Sequence, residues 1–236
     1  MNTDSDHPRW LVLHLAAPLM SFGGVAVDQV GPTRRSPAAS ALTGLIGNAL
    51  GLDWSDRAAH QDLQERLIFA SALIREGHVL TDSQNAQLSK SDKGWTTRGT
   101  PEGRDGASYD APHRRRRDYL ADAELRVVLR LTEGRPDLDM LAEALNRPAR
   151  PLFIGRKPCL PSRPICGGFV TAPTAHAALL ASGAAGCAAE WPEGEGPAAG
   201  QGGHRAFALP DQRNWRTGLH GGSRAVCQGH LPQGAA

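Results

Sequence analysis

The chain has 236 residues, of which 40% are apolar and 21% are charged, and its formal net charge is +2. This length and composition fit a globular protein with a sizeable core, which excludes a disulfide-stapled scaffold and a low-complexity chain. The near-neutral sum does not indicate a nucleic-acid-binding protein, but the charges are segregated, since residues 147–163 hold five cations and no acid.

The first predicted elements are a strand, two helices and a second strand. Residues 10–19 (WLVLHLAAPL) are β-rich at their start and predict the opening strand. The segment SPAASALTGLIGNALGL then begins with Ser36 as a candidate N-cap and Pro37 at the first helical position, and its apolar residues recur at helical spacing. A short helix follows over about 55–65. Residues 66–74 predict a strand, with a helix as the competing assignment.

The middle of the chain changes character before the regular pattern resumes. Residues 81–118 are polar and then basic, and such a long insert in a compact domain is usually functional or disordered. Residues 119–131 predict a strand, 135–148 a helix, and PLFIG at 151–155 a short buried strand. This order predicts an α+β, ferredoxin-like sandwich with a protruding thumb at about 84–118, a frame that many RNA-binding domains share.

The C-terminal part is less regular. A strand and a short helix are predicted within 167–187, a glycine-rich linker at about 193–203, and short strands and turns beyond it. We therefore expect an RNA-binding body at 1–165 and a small β-rich C-terminal region at 166–236.

The segment Gly155-Arg156-Lys157 is a candidate phosphate-binding loop. The glycine permits a close backbone approach, Arg156 can bind a phosphate with two donors, and Lys157 adds a compact charge. The prolines that follow would fix the course of the loop. A solvated turn that ends a strand is the alternative interpretation.

A second group of candidates lies in and before the insert. The run from Arg114 to Arg117 could follow a nucleic-acid backbone, although a flexible surface arm is the common fate of such runs. Arg34 and Arg35 precede the first helix, whose N-terminus at Ser36 would favour an anion. Two aromatic residues of the insert could stack on bases or could have a local packing role, namely Trp95 and Tyr109.

Several other classes of function lack their sequence signals. The sequence contains no phosphate loop, zinc-protease motif or nucleophile elbow, and its four cysteines lack C-x-x-C spacing. The N-terminal residues lack the pattern of a signal peptide, and no apolar run approaches the roughly 18 residues of a membrane span. We therefore expect a reduced, cytoplasmic protein without membrane contact, catalytic residues, metal or cofactor.

Several segments together resemble one family. APLMSFGG, GPTRRSPAASALTGLIGNALG, RRDYLADAELRVVLRL and RPLFIGRKPCLPSRPI occur in the order found in the CasD proteins, which hold the 5′ handle of CRISPR RNA in type I-E Cascade surveillance complexes. TDSQNAQL and NWRTGLHGGSR are weaker family segments. The resemblance covers residues 9–165 well and the C-terminal part loosely.

The resemblance implies a non-catalytic subunit in antiviral defence. The thumb would contact neighbouring backbone subunits, the large subunit would be a further neighbour, and target DNA near the handle is an additional candidate partner. By position, Ser21, Arg34, Arg35, Gln84, Arg156 and Lys157 fall on segments that surround the handle in the family. Gln84 and Asn85 could then hydrogen-bond to splayed handle bases.

Two other classes of function stay open. The type I-C relatives of this family cleave CRISPR repeat RNA without metal, using a tyrosine, a lysine and a histidine. Tyr109, Lys157 and His113 are the candidates for such general acid–base chemistry here. The third hypothesis is a protein–protein spacer whose basic patches are incidental.

Overall fold

The fold is organised around a large antiparallel sheet, seen in a computed structural model that describes residues 7–86, 94–95, 101–102 and 113–233. The described strands and helices are, in chain order, β1 (Arg9–Ala16), β2 (Leu19–Met20), β3 (Val30–Gly31), α1 (Ala39–Leu50), α2 (Arg57–Arg66), β4 (Leu67–Arg75), β5 (His78–Ala86), β6 (Gly94–Trp95), β7 (Pro101–Glu102), β8 (His113–Ala121), β9 (Glu124–Leu131), α3 (Leu138–Asn146), β10 (Cys166–Thr171), α4 (Ala175–Ala181), β11 (Ala188–Pro192), β12 (Arg205–Leu209) and β13 (Arg224–His230). The chain is therefore α+β, as the sequence predicts.

Seven strands form the large sheet in the order β10-β1-β9-β4-β11-β13-β12. Strands β1 and β4 both pair antiparallel with β9, so they run parallel to each other, and α1 and α2 connect them. Strands β9 and β10 are likewise parallel on either side of β1, and α3 connects them. The first four strands in this order thus contain two split β-α-β units.

The sheet has a core on each face. Because side chains alternate along a strand, Leu11, Leu13 and Leu15 of β1 face one core, which α1 and α3 cover. Trp10 and Val12 face the other core, which α4 covers. Each fully buried leucine contributes about 1.5–3 kcal/mol relative to an exposed one.

A smaller sheet forms the base of the insert. Strand β8 pairs with β2, with β3 and, along its whole length, with β5, from His78 opposite Ala121 to Ala86 opposite His113. The two-residue strands β6 and β7 pair with each other. Most of the predicted thumb, at 87–93, 96–100 and 103–112, lies outside the described residues. No helix of the described part is long and apolar enough to cross a membrane.

Three predicted elements differ from the structure. Residues 151–155 do not form a strand: Ile154 is buried, but the chain turns at Gly155 with φ +94°, and β10 lies beside β1 instead. The predicted strand at 119–131 is divided into β8 and β9 because Asp122 adopts φ +55°. Helix α1 begins at Ala39 rather than after Ser36, whose hydroxyl donates to Glu190.

The C-terminal residues are part of the large sheet. Strand β11 pairs with β4, and β13 and β12 extend the sheet from there. The segment predicted as a linker includes Glu195, which accepts hydrogen bonds from Arg130 and from the backbone of Ala175. The predicted boundary at residue 165 therefore lies inside one sheet.

Candidate nucleic-acid interface

Gly155 lies against the main chain of Ser21. A Cβ atom at position 155 would be 1.5 Å from the Ser21 carbonyl oxygen, so no other residue fits without moving the backbone. The Ser21 amide donates to the Ile154 carbonyl, and the Ile154 amide donates to the Cys159 carbonyl. These bonds make residues 154–159 a closed turn that packs against the segment after β2.

Arg156 points into the protein and joins three segments. Its Nη1 donates to the Asp118 carbonyl oxygen at 3.0 Å, and its Nη2 donates to the Gly31 carbonyl oxygen at 3.0 Å. Its guanidinium lies over the Tyr119 ring, 4.7 Å from the centroid. The Asp118 carbonyl also accepts from the Ser21 hydroxyl at 3.4 Å. Arg156 therefore positions β8 and β3 beside the turn. The sequence analysis predicted a phosphate contact for this residue and did not predict this structural role.

Lys157 and three arginines of β8 are exposed cations among the described residues of this region. Lys157 is exposed on the turn, and Arg114, Arg115 and Arg116 are exposed along β8. Arg117 is half-buried and donates to the Gln29 carbonyl. The exposed arginines precede the part of β8 that Arg156 holds. Because successive side chains of a strand point to opposite faces, Arg114 and Arg116 share one face of the hairpin and Arg115 lies on the other.

Gln84 and Asn85 lie beside these arginines on the neighbouring strand. Gln84 is opposite Arg115 and Asn85 is opposite Arg114 in the β5–β8 register. Both are exposed, and Gln84 donates to Asp82 at 2.7 Å. Their amides and the arginines therefore line the same hairpin.

Arg34 and Arg35 are engaged in contacts within the chain. The Nη2 atom of Arg34 donates to the Pro210 carbonyl at 2.7 Å, and Arg35 forms an exposed ion pair with Glu76. Arg34 thereby connects the segment before α1 to the C-terminal part of the chain. Neither Arg34 nor Arg35 forms a hydrogen bond with the described residues of the turn at 154–159.

An internal carboxylate occupies the N-terminus of α1. The Asp211 side chain accepts from the Ala39 amide at 3.1 Å, and its backbone carbonyl accepts from the Ser40 amide. Arg224 pairs with the same buried carboxylate at 2.9 Å. Because helix N-termini favour negative charge, Asp211 takes the place that sequence reasoning assigned to an external anion at Ser36.

A cleft of about 370 Å³ opens between α1, the turn at 154–159 and the C-terminal segment. One wall is formed by residues of α1, three of which are small (Ser40, Ala41 and Gly44), and another includes Phe22 and Phe153. The residues that line it are Ser21, Phe22, Gly23, Ser40, Ala41, Gly44, Leu45, Asn48, Phe153, Gly155, Arg156, Arg213, Trp215 and His220. Two predicted site residues, Ser21 and Arg156, thus meet at one cavity.

The third wall of the cleft is a turn at residues 213–220. Asn214 accepts through its side chain from the amides of Arg216 and Thr217, and its own amide donates to the Leu219 carbonyl. Gly218 closes the turn with φ +80°. The sequence NWRTG therefore forms a hydrogen-bonded turn that contains Trp215.

Helix α2 positions this turn. Gln64 both donates to the Arg213 carbonyl and accepts from the Arg213 amide and the Trp215 indole. Gln61 accepts from the Trp215 amide at 2.9 Å, and the His60 ring stacks on the indole with centroids 4.7 Å apart. Sequence reasoning missed Arg213, Trp215 and His220 as site residues. The family segment NWRTGLHGGSR contains Trp215 and His220, and Arg213 belongs to a sparse group of arginines just before and within that segment.

Acid–base candidates are not assembled in the described residues. Tyr109 and the side chains of His113 and Trp95 lie outside them. Burial raises the pKa of the Cys159 thiol, which keeps this buried group protonated at neutral pH. No group of three or more potential metal ligands occurs in the part of the chain that the structure describes.

Comparison with known proteins gives a consistent result. A family model described as CRISPR-associated protein (Cas_Cas5) matches residues 10–227. The CRISPR system Cascade subunit CasD of Escherichia coli (strain K12) is 29% identical over 172 residues, which are 72% of this chain and 75% of that protein.

Solved structures share the fold. A chain of a CRISPR RNA-guided surveillance complex superposes with a TM-score of 0.70 at 20% identity, over 95% of this chain and 90% of that chain. A crystal structure of a Cas protein superposes with a TM-score of 0.59 at 24% identity, over 95% of both chains.

Proposed function

This protein belongs to the CRISPR-associated Cas5 family, and we propose that it is the Cascade subunit that binds the 5′ handle of CRISPR RNA without cleaving it. Its relative in Escherichia coli is a Cascade subunit, and a structural neighbour belongs to an RNA-guided surveillance complex. The observation that carries the proposal is that the exposed arginines of β8 lie next to the cleft. Two residues that line the cleft, Arg156 and Ser21, donate to the carbonyl of Asp118, which follows these arginines in β8.

Two kinds of contact would hold the RNA. The exposed cations Arg114, Arg115, Arg116 and Lys157 would neutralise phosphates along the hairpin and the turn. The cleft and the amides of Gln84 and Asn85 would contact splayed nucleotides, since single-stranded RNA exposes its base edges. Arg156 acts mainly by positioning these elements, and Arg34 and Arg35 support the segment before α1.

The body that presents these groups is, in our proposal, ferredoxin-like. The two split β-α-β units formed by β1, β4, β9 and β10 support this assignment. The insert between β5 and β8 is the proposed thumb, with backbone and large subunits of a cytoplasmic Cascade complex as its neighbours. Target DNA near the handle would be a further partner.

The phosphate contacts are tested by salt dependence. Cascade would be assembled with Lys157→Ala or with Arg115→Ala and Arg116→Ala together, and retention of CRISPR RNA measured from low to high salt. We expect weaker retention and a shallower slope of log affinity against log salt, by about 0.7 for each phosphate that the variant no longer neutralises. Arg147→Ala is the matched control, because Arg147 is exposed, follows α3 and pairs with Glu143 rather than belonging to the hairpin or the turn.

The outcomes separate the hypotheses. A slope that is the same in all variants would remove these cations from the RNA site. Incubating the purified chain with repeat RNA in chelator tests for cleavage at the same time. Cleavage that disappears with His113→Ala or Tyr109→Phe would replace the scaffold function with an endoribonuclease.

A further inference from the structure

We propose that the turn at residues 51–57 and the adjoining turn at 213–220 form a docking surface for an acidic segment of another Cascade subunit, a proposal that rests on the assembly part of the proposed function. The central residue of this surface is Trp54, which is 81% exposed. The surface is separate from the insert between β5 and β8, and Trp54 does not line the cleft.

The turn that carries Trp54 is held by hydrogen bonds on both sides of the indole. Arg150 donates to the Leu52 carbonyl at 2.8 Å and pairs with the Asp53 carboxylate at 2.6 Å. The Asp56 carboxylate accepts from the Asp53 amide at 2.7 Å, and the Asp56 amide donates to the Asp53 carbonyl. A backbone that is already ordered loses little conformational freedom on binding, so the turn presents its tryptophan at a low entropic cost.

Arg57 joins this turn to the turn at 213–220. Its guanidinium lies over the Trp54 ring, 5.4 Å from the centroid, and its Nη1 donates to the Arg216 carbonyl at 3.0 Å. The second turn carries Leu219, which is 69% exposed. Two of the three most exposed large apolar side chains of the described residues therefore lie on adjoining turns. Tryptophan and arginine are also the residue types that contribute most to protein interfaces.

The unpaired charge of this surface is positive. Arg57 and Arg216 are exposed, and neither has a carboxylate within ion-pair distance among the described residues. The two acids of the turn at 51–57 already have partners within the chain. A segment that carries carboxylates beside an apolar residue would therefore complement both the two arginines and Trp54.

A protein segment fits this surface better than a nucleotide does. Stacking of a base requires an open aromatic face, but the Arg57 guanidinium occupies one face of the Trp54 ring. Leu219 offers an aliphatic contact and no ring on which a base could stack. Because the relative in Escherichia coli is a Cascade subunit, we assign the docking segment to another subunit of such a complex.

Photocrosslinking in the assembled complex tests the partner directly. p-Benzoylphenylalanine would replace Trp54 in Cascade assembled on CRISPR RNA, and mass spectrometry would identify the crosslinked products. We expect a crosslink to another subunit, at a segment in which acidic residues flank an apolar one. A crosslink to RNA, to this chain alone or to a segment without acidic residues would overturn the docking surface, as would the absence of any crosslink.

Matched variants measure the contribution of the tryptophan and of the charge. The crosslinked subunit would be titrated onto Cascade that lacks it. Trp54→Ala should raise Kd by about 30-fold or more, as loss of a hot-spot side chain predicts, whereas Met140→Ala, at another exposed apolar residue, should leave Kd unchanged. Arg216→Glu should weaken binding and make it less sensitive to salt, whereas Arg205→Glu, at an exposed position in β12, should do neither.

Retention of CRISPR RNA separates this proposal from the proposed function. Equal Kd values for Trp54→Ala and Met140→Ala, in complexes that retain the RNA, would overturn the docking surface while the RNA-binding function stands. A wild-type chain that retains neither CRISPR RNA nor other subunits would overturn both.

Discussion

At the scale of single residues, the three residues Gly155, Arg156 and Lys157 have three different structural roles. Gly155 permits contact with the main chain of Ser21, Arg156 joins three segments from within, and Lys157 is exposed. A cluster of cations in a sequence therefore does not mean that every cation faces a ligand. The side chain with the most donors is the one that the fold uses internally.

The glycine requirement predicts a large difference between two substitutions. Gly155→Ala should destabilise the chain by well over the roughly 1–2 kcal/mol of an alanine at positive φ, because its methyl group would also collide with the Ser21 backbone. Gly183→Ala is the control, since Gly183 has φ +86° and open space around it. Urea unfolding of both variants measures the difference, and equal destabilisation would contradict the close approach.

Substitutions of Arg156 and Lys157 should also differ in their effect on stability. Arg156→Ala removes two charge-assisted hydrogen bonds and is expected to lower the free energy of unfolding by a few kcal/mol, at about 1.5–3 kcal/mol for each such bond. Lys157→Ala should leave the unfolding free energy unchanged, because Lys157 is exposed. Thermal unfolding of the two variants checks this, and a destabilised Lys157→Ala chain would contradict it.

At the scale of elements, α1 depends on a residue far along the chain. Asp211 binds the first turn of the helix and pairs with Arg224, whose guanidinium lies 4.1 Å from the centroid of Phe69 in β4. The carboxylate thus ties α1, β4 and β13 together. It also helps to position the helix whose residues form one wall of the cleft.

This arrangement predicts the effect of removing one charge. Asp211→Asn should cost about 3–5 kcal/mol of unfolding free energy, because it leaves the mostly buried Arg224 without its counter-charge. Asp139→Asn breaks the Arg9–Asp139 pair, in which both side chains are exposed, and should change stability little. Chemical denaturation of the pair of variants measures the contrast, and similar stabilities would rule out the proposed role of Asp211.

The elements that the sequence predicts well are those with regular local patterns. Strands β1 and β4 and helices α2 and α3 lie close to their predicted positions, since their apolar spacing and, for α3, the capping residue Asp137 are local. The start of α1 was not predictable because its capping group lies at position 211. The cleft wall at Trp215 was missed for the same reason, since Gln64 is distant in sequence. PLFIG has the composition of a strand, but the contact between Gly155 and Ser21 turns the chain there.

At the scale of the whole molecule, the segment that joins β5 to β8 can be shortened without removing either strand. Ala86 lies opposite His113, so a short Asn-Gly-type turn could replace residues 87–112 and still close the hairpin. We expect the shortened chain to keep its thermal stability and to assemble poorly with neighbouring subunits. Normal assembly of this variant, measured by co-purification, would contradict the proposed thumb.

Stability should also depend on pH through two histidines. Burial lowers the pKa of His176, with a smaller contribution from His204, and burial together with Arg126 and Arg163 lowers the pKa of His14. Because the unfolded chain then binds protons more readily, the free energy of unfolding should decrease as pH falls below the ordinary histidine pKa of 6.5.

Unfolding in urea at about pH 7.5 and about pH 5.5 measures this decrease. His176→Phe should make it smaller, whereas His230→Gln, at an exposed position, should leave it unchanged. Stability that increases on acidification would contradict the assignment.

The position of β11 has a consequence for how the chain is made. Strand β4 lies between β9 and β11, and its partner at Ala188–Pro192 follows it by more than a hundred residues. During synthesis on the ribosome, the β4 edge therefore stays without its partner until most of the protein has emerged. Such late, long-range pairing slows folding and exposes a strand edge to aggregation. The yield of folded protein should therefore depend more on chaperone supply and translation rate than on the stability of the folded chain.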